Sequence, residues 1–204
     1  MKLHDRLNAV WTAIGAQTDA PTVALLAAWS APERHYHGLS HLRHMLDGLD
    51  TYRHLADDAN AVALAIWFHD AVQDPQRSDD EERSATWAHE ALTQAGCTRL
   101  ADRVRDMILA TKTHDPAQDP DTALLLDLDL AILGQSRPLY ERYVRGVRAE
   151  YSDVSDEDWR VGRSAVLTQL LSKPLFNTPL FRAAFDEQAR LNLSDERAAL
   201  ANLL

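Results

Sequence analysis

Cysteine is almost missing from this sequence. One thiol, Cys97, in 204 residues cannot close an internal disulfide, so the fold does not depend on an oxidising compartment. Positive charge is also short: 21 Lys and Arg face 31 Asp and Glu, a formal net charge of −10. Proteins that wrap a nucleic-acid backbone do so by displacing counterions with Lys and Arg, so no nucleic-acid polymer is expected as a partner. A small anionic substrate stays open, provided that a metal supplies positive charge locally. No apolar run approaches the ~18 residues of a membrane span, and no membrane partner is expected. The opening MKLHDRLNAVW carries charges and His4 where a secretory leader needs an unbroken apolar stretch. Walker A, GxGxxG and GxSxG sequences are absent. These absences leave a soluble, cytoplasmic protein, expected as a single domain over 1–204.

What is present reads as helix. Seven glycines and eight prolines leave little punctuation, and they sit where helices would start or stop. Ser78-Asp79-Asp80-Glu81 predicts a capping box, and the helix it opens would stop at Gly96. Thr178-Pro179 places a cap before a proline at the first helical position. Ser155 followed by Asp156, Glu157 and Asp158 puts acids at the positive end of a helix dipole. Leu124, Leu128 and Ile132 recur at fourfold spacing before Gly134. Helices are predicted at 3–17, 21–30, 38–56, 59–69, 79–95, 99–113, 122–133, 138–150, 156–172 and 179–202. Loops are expected at 71–78 and, with two prolines, at 114–121. No Val/Ile/Thr alternation long enough for a strand intervenes, so the fold class is all-α.

Three features point to chemistry. His37, His41 and His44 fall in one stretch, the first two sharing a helix face. The apolar run 63–68 ends in His69-Asp70, a polar pair that burial would have to satisfy. Asp127 and Asp129 interrupt an almost wholly apolar helix, and no Lys or Arg lies between Lys112 and Arg137. A divalent cation would relieve all three places together.

The order His … His-Asp … Asp resembles the HD-domain superfamily of metal-dependent phosphohydrolases, most closely its small bacterial predicted-phosphohydrolase branch. The segments that carry the resemblance are YHGLSHLRHM at 36–45, AIWFHDAVQDP at 65–75, DEERSA at 80–85, ILATKTH at 108–114 and LLDLDLAILG at 125–134. The resemblance implies an HD-like helical bundle with its core motifs over about 30–170 and helices from 171–204 packed on it. It implies His41, His69 and Asp70 as metal ligands, with the last ligand from the 127/129 pair. The family pattern aligns with Leu128-Asp129-Leu130 and favours Asp129 over Asp127. Asp70 doubles as a catalytic residue in this reading. The Tyr36-His37-x-x-x-His41 element is also similar to that of cyclic-nucleotide phosphodiesterases, whose earlier histidine protonates the leaving oxygen, which gives His37 an acid role. Those enzymes usually carry Asn after that histidine; here Gly38 stands there. His114 is implied as a phosphate contact or second-metal ligand, and Lys112 and Glu81 as substrate-binding residues.

The implied cofactor is a divalent metal ion, drawn from Mn, Fe, Ni, Co, Mg or Zn. A mixed donor set of imidazoles and carboxylates suits Mn, Fe, Ni, Co or Mg better than it suits a thiolate-type structural zinc site. The expected partner is a small phosphorylated molecule, a nucleotide included. His44 is an alternative to His41, and His89 would matter if two metals bound, as in a di-iron oxygenase. A non-catalytic regulatory domain is the third alternative. Arg145, Arg148 and Arg163 are expected in ion pairs, the five tryptophans in the core or an interface, and Cys97 has no assigned role.

Overall fold

The computed structural model describes residues 1–16 and 21–201. Among these the chain is all-helical, as the sequence predicts, and contains no strand. The helices are α1 (Leu3–Ala13), α2 (Thr22–Trp29), α3 (Leu39–Tyr52), α4 (Ala59–Phe68) and α5 (Asp80–Gln94). They continue with α6 (Thr98–Ala110), α7 (Pro120–Leu130), α8 (Arg137–Glu150), α9 (Asp156–Leu171) and α10 (Pro179–Ala201). Short 3-10 turns, Arg53–Leu55 and Ala131–Gly134, follow α3 and α7. None of the helices is long and apolar enough to cross a membrane. The expected ends at 17 and 202 lie outside the described residues.

The apolar run at 63–68 becomes the middle of the molecule. Every residue of α4 from Ala61 to Phe68 is buried, with α1, α3, α5, α6 and α7 packed around it. Both ends of this helix are tied by hydrogen bonds. At its start Asp58 accepts from the amides of Asn60 and Ala61, a side-chain N-cap. Asp121 of α7, wholly buried, accepts from the amides of Asp57 and Asp58 and pairs with Arg103. At the other end the indole of Trp29 donates to the Trp67 carbonyl at 2.9 Å. These ties fix where His69 and Asp70 emerge.

Several terminators differ from expectation. The capping box at Ser78 does not form. Asp79 holds the N-cap position without a side-chain cap, its carboxylate being bonded to Arg77 instead. The loop after α6 closes earlier than 121, since Pro120 sits inside the first turn of α7 behind an Asp119 cap. The predicted tail of α3 and that of α7 tighten into the two 3-10 turns.

Gly96 does end α5, with a φ of +80°. The Gly96 amide bonds the Thr93 carbonyl and the Cys97 amide bonds Leu92, the paired closures of a Schellman end. Cys97 thus has a structural role, packing half-buried against the core after the turn. Thr178 caps α10 through its hydroxyl to the Phe181 amide, and Ser155 caps α9 through the Asp158 amide.

Candidate metal centre

Four elements bring polar side chains to one place. His41 sits in the first turn of α3, His69 and Asp70 follow the last turn of α4, Asp129 is in the last turn of α7, and His114 lies beyond α6. The buried imidazoles of His41 and His69 face each other, Nε2 to Nε2, at 3.4 Å. Asp129 Oδ1 is 3.1 Å from His41 Nε2 and 3.8 Å from His69 Nε2. Asp70 Oδ2 is 3.1 Å from His69 Nε2 and 3.9 Å from His41 Nε2. One donor atom from each of His41, His69 and Asp129 falls within 4.8 Å of the others, the arrangement a single ion needs. Asp70 stands against both imidazoles beside that trio.

The protonation chemistry tests whether a cation fits. His69 Nδ1 lies 2.9 Å from the Ile66 carbonyl, which only accepts, so Nδ1 carries the proton and a neutral ring turns a bare Nε2 inward. That Nε2 meets the His41 ring nitrogen and two carboxylate oxygens, and the carboxylates can only accept. Two carboxylates this far buried among neutral imidazoles leave negative charge that a cation or a proton must balance. In the metal-free chain a proton supplies the charge. Burial opposes an imidazolium at His69, but the neighbouring Asp70 and Asp129 outweigh it and push the group up to about 9. Asp129 is held well below the usual carboxylate range, burial being overcome by His114, His41 and His69. The residues present therefore fit a divalent ion with nitrogen and oxygen ligands.

Supports surround the cluster. His114 adopts a φ of +50°, uncommon for a side chain other than glycine, and this returns its Nε2 to Asp129 Oδ2 at 3.0 Å. The Trp29 ring lies 5.6 Å from the His69 ring. Arg34, over the face of Trp29, donates to the carbonyls of His37, Asp70 and Ala71 and so clamps two of the contributing segments together. Tyr36 stacks 5.0 Å from the His41 ring.

A cavity of about 300 Å³ opens beside the cluster. His37, His114, Asp129 and Lys112 are among its lining residues. His37 Nδ1 meets Glu150 Oε2 at 2.7 Å, and Glu150 Oε1 accepts from the amides of Tyr36 and His37. Burial disfavours charge on both partners, but the hydrogen bond and mutual attraction prevail. They raise His37 above an ordinary imidazole and lower Glu150 to about 2.

No family model, curated protein or solved structure matches the chain. The site geometry therefore carries the functional argument.

Of the residues singled out from sequence, His41, His69, Asp70, Asp129 and His114 converge, and His37 faces the same cavity. Asp127 does not join them: wholly buried, it accepts from the amides of Asn177 and Thr178 and anchors the chain entering α10. Its burial is satisfied by amides rather than by a cation, which corrects the expectation of a shared ion there. Lys112 lies on the cavity wall but is bonded to the Ser78 carbonyl and Glu82. Glu81 approaches Lys112 Nζ at 4.0 Å and is not part of the cavity lining. His44 is exposed on α3, and His89 pairs with Asp102 between α5 and α6. Arg163 pairs with Glu196, and Arg148 with Asp156. Sequence reasoning missed Arg34, Glu150 and Gln73, whose Nε2 lies 2.9 Å from His37 Nδ1 and donates to Glu150 Oε2 at 3.2 Å. Glu150 left one signal, an acid in the last turn of a helix, where the dipole disfavours it.

Proposed function

We propose that the protein is a metal-dependent phosphohydrolase of the HD superfamily, a cytoplasmic enzyme acting on a small phosphorylated molecule, a nucleotide included. The observation that carries this reading is the convergence of His41, His69, Asp70 and Asp129, beside a cavity lined by His37, which Glu150 holds from behind.

His41, His69, Asp70 and Asp129 would hold the ion. When bound, a divalent cation polarises a phosphoryl oxygen and lowers the pKa of water from about 15.7 to about 7. The chain's own groups do the rest. The Ile66 carbonyl fixes the tautomer of His69, and His114 orients the carboxylate of Asp129. Glu150 retains the Nδ1 proton of His37 and favours the imidazolium, so Nε2 is the atom that delivers a proton to a departing alkoxide. Lys112 lies on the cavity wall with its charge offset by Glu82.

The test is release of inorganic phosphate from a panel of phosphomonoesters and nucleotides by the protein loaded in turn with Mn, Fe, Ni, Co, Mg and Zn. Turnover that disappears in His69→Ala supports the reading. Stoichiometric metal with no phosphate released from any substrate overturns it.

A further inference from the structure

The cavity is divided in character. One side carries the cluster, His37 and His114. The other is a stripe from the end of α9, in which Val166, Gln169 and Leu170 recur at spacings of three and one and so share one helix face, with Lys173 just beyond the helix end. Leu130 and Leu133, from the end of α7 and the turn after it, extend the apolar surface. Val166 is 45% exposed although it lines a cavity, an apolar lip with nothing packed over it.

Charge and size narrow the occupant. Among the described residues no arginine lines the cavity. Its two lysines are both committed: Lys112 to Glu82 and the Ser78 carbonyl, Lys173 to the Thr113 carbonyl and Asp115. Their charge is largely neutralised, and the whole chain carries −10. A triphosphate, with about four negative charges to balance, finds no basic clamp beyond the ion itself. A cavity of about 300 Å³ stands at the small end of ligand pockets.

We propose that the α9 stripe selects a compact phosphomonoester whose body is apolar, its phosphoryl group turned to the cluster and its body against Val166 and Leu170. The proposal rests on the phosphohydrolase reading for the orientation of the ligand. Its test measures binding separately from turnover.

Calorimetric affinities of the metal-loaded protein for phenylphosphonate and methylphosphonate are compared, with hydrolysis of phenyl phosphate and glycerol phosphate measured alongside. Phenylphosphonate is expected to bind at least about tenfold more tightly, the scale of discrimination that apolar pockets achieve. Val166→Asn combined with Leu170→Asn should reduce that ratio severalfold while metal content and unfolding midpoint stay near wild type. A wild-type ratio near one, a ratio unchanged in a folded variant, or failure of both phosphonates to bind overturns the proposal. So does tighter binding of a non-hydrolysable nucleoside triphosphate. A preserved phenyl preference without hydrolysis supports the selectivity of the cavity and removes the reaction instead.

Discussion

Gly146 and Glu150 stand one helical turn apart on the face of α8 that covers residues 35–37. A Cβ at Gly146 would lie 3.0 Å from Tyr36 Cβ and 3.1 Å from the His35 carbonyl oxygen. The bare position lets α8 come close, and Glu150, four residues on, then reaches the amides of Tyr36 and His37. Gly146→Leu is expected to push the segment away, destabilising the fold by about 1–3 kcal/mol. It should also lower turnover through displacement of His37. Denaturant unfolding and phosphatase assays, run in parallel, check both effects, and unchanged values in both would refute the packing argument.

Acid should weaken the protein through Glu150. Its folded value is lowered from 4.5 to about 2, so its contribution is full above 4.5 and is lost as pH falls toward 2. His37 runs the other way. Raised above its ordinary 6.5, it contributes fully below 6.5 and loses that contribution as pH rises through its folded value. In Glu150→Gln the decline of unfolding free energy between pH 5 and 3 should be shallower than in wild type. Identical slopes would remove Glu150 as the cause.

The two aspartates of α7 should separate cleanly. Asp127→Ala orphans the amides of Asn177 and Thr178, at a cost of about 2–4 kcal/mol, and should leave metal binding intact in whatever fraction folds. Asp129→Asn should abolish or greatly weaken metal binding while the fold persists, since the amide keeps the shape of the side chain and an oxygen toward His114 or His41 but loses the charge. Elemental analysis with thermal unfolding distinguishes the pair. Metal lost from Asp127→Ala and retained by Asp129→Asn would reverse the assignment.

Metal binding should expel a proton. His69 rises from 6.5 to about 9 without metal, so at neutral pH it is protonated, and a ligating imidazole must be neutral. Apparent affinity is expected to increase about tenfold per pH unit until the group titrates near 9. Without metal the sign for stability is opposite: the contribution is full below 6.5 and fades as pH rises through about 9. Calorimetry in buffers of different ionisation enthalpy measures the released proton. A binding enthalpy independent of buffer would contradict this account.

How much the sequence disclosed depends on whether a feature is local. The run ending in His69-Asp70 reads as a buried helix because burial of α4 is nearly complete on every side. Gly96 and Thr178 read as helix ends because their bonds close within a few residues. Ser78 misleads for the opposite reason: the helix starts one residue later, with Asp79 at the cap, while Lys112, 34 positions away, bonds the Ser78 carbonyl. The link between His37 and Glu150 spans 113 positions and exists only once α8 has docked. Asp127 and Asp129 are alike in sequence, and two positions around a helix send one to the chain entering α10 and the other to His41.

Helix α7 carries three carboxylates with separate tasks: Asp121 at the start of α4, Asp127 at the start of α10 and Asp129 beside His41. One residue inserted between Asp121 and Asp127 would swing the first out of phase with the other two by about 100°. The segment is thus locked in length as well as in composition. Variation among descendants of this chain should accumulate as substitutions on its outer side, while gains and losses of residues gather in the connections before and after it.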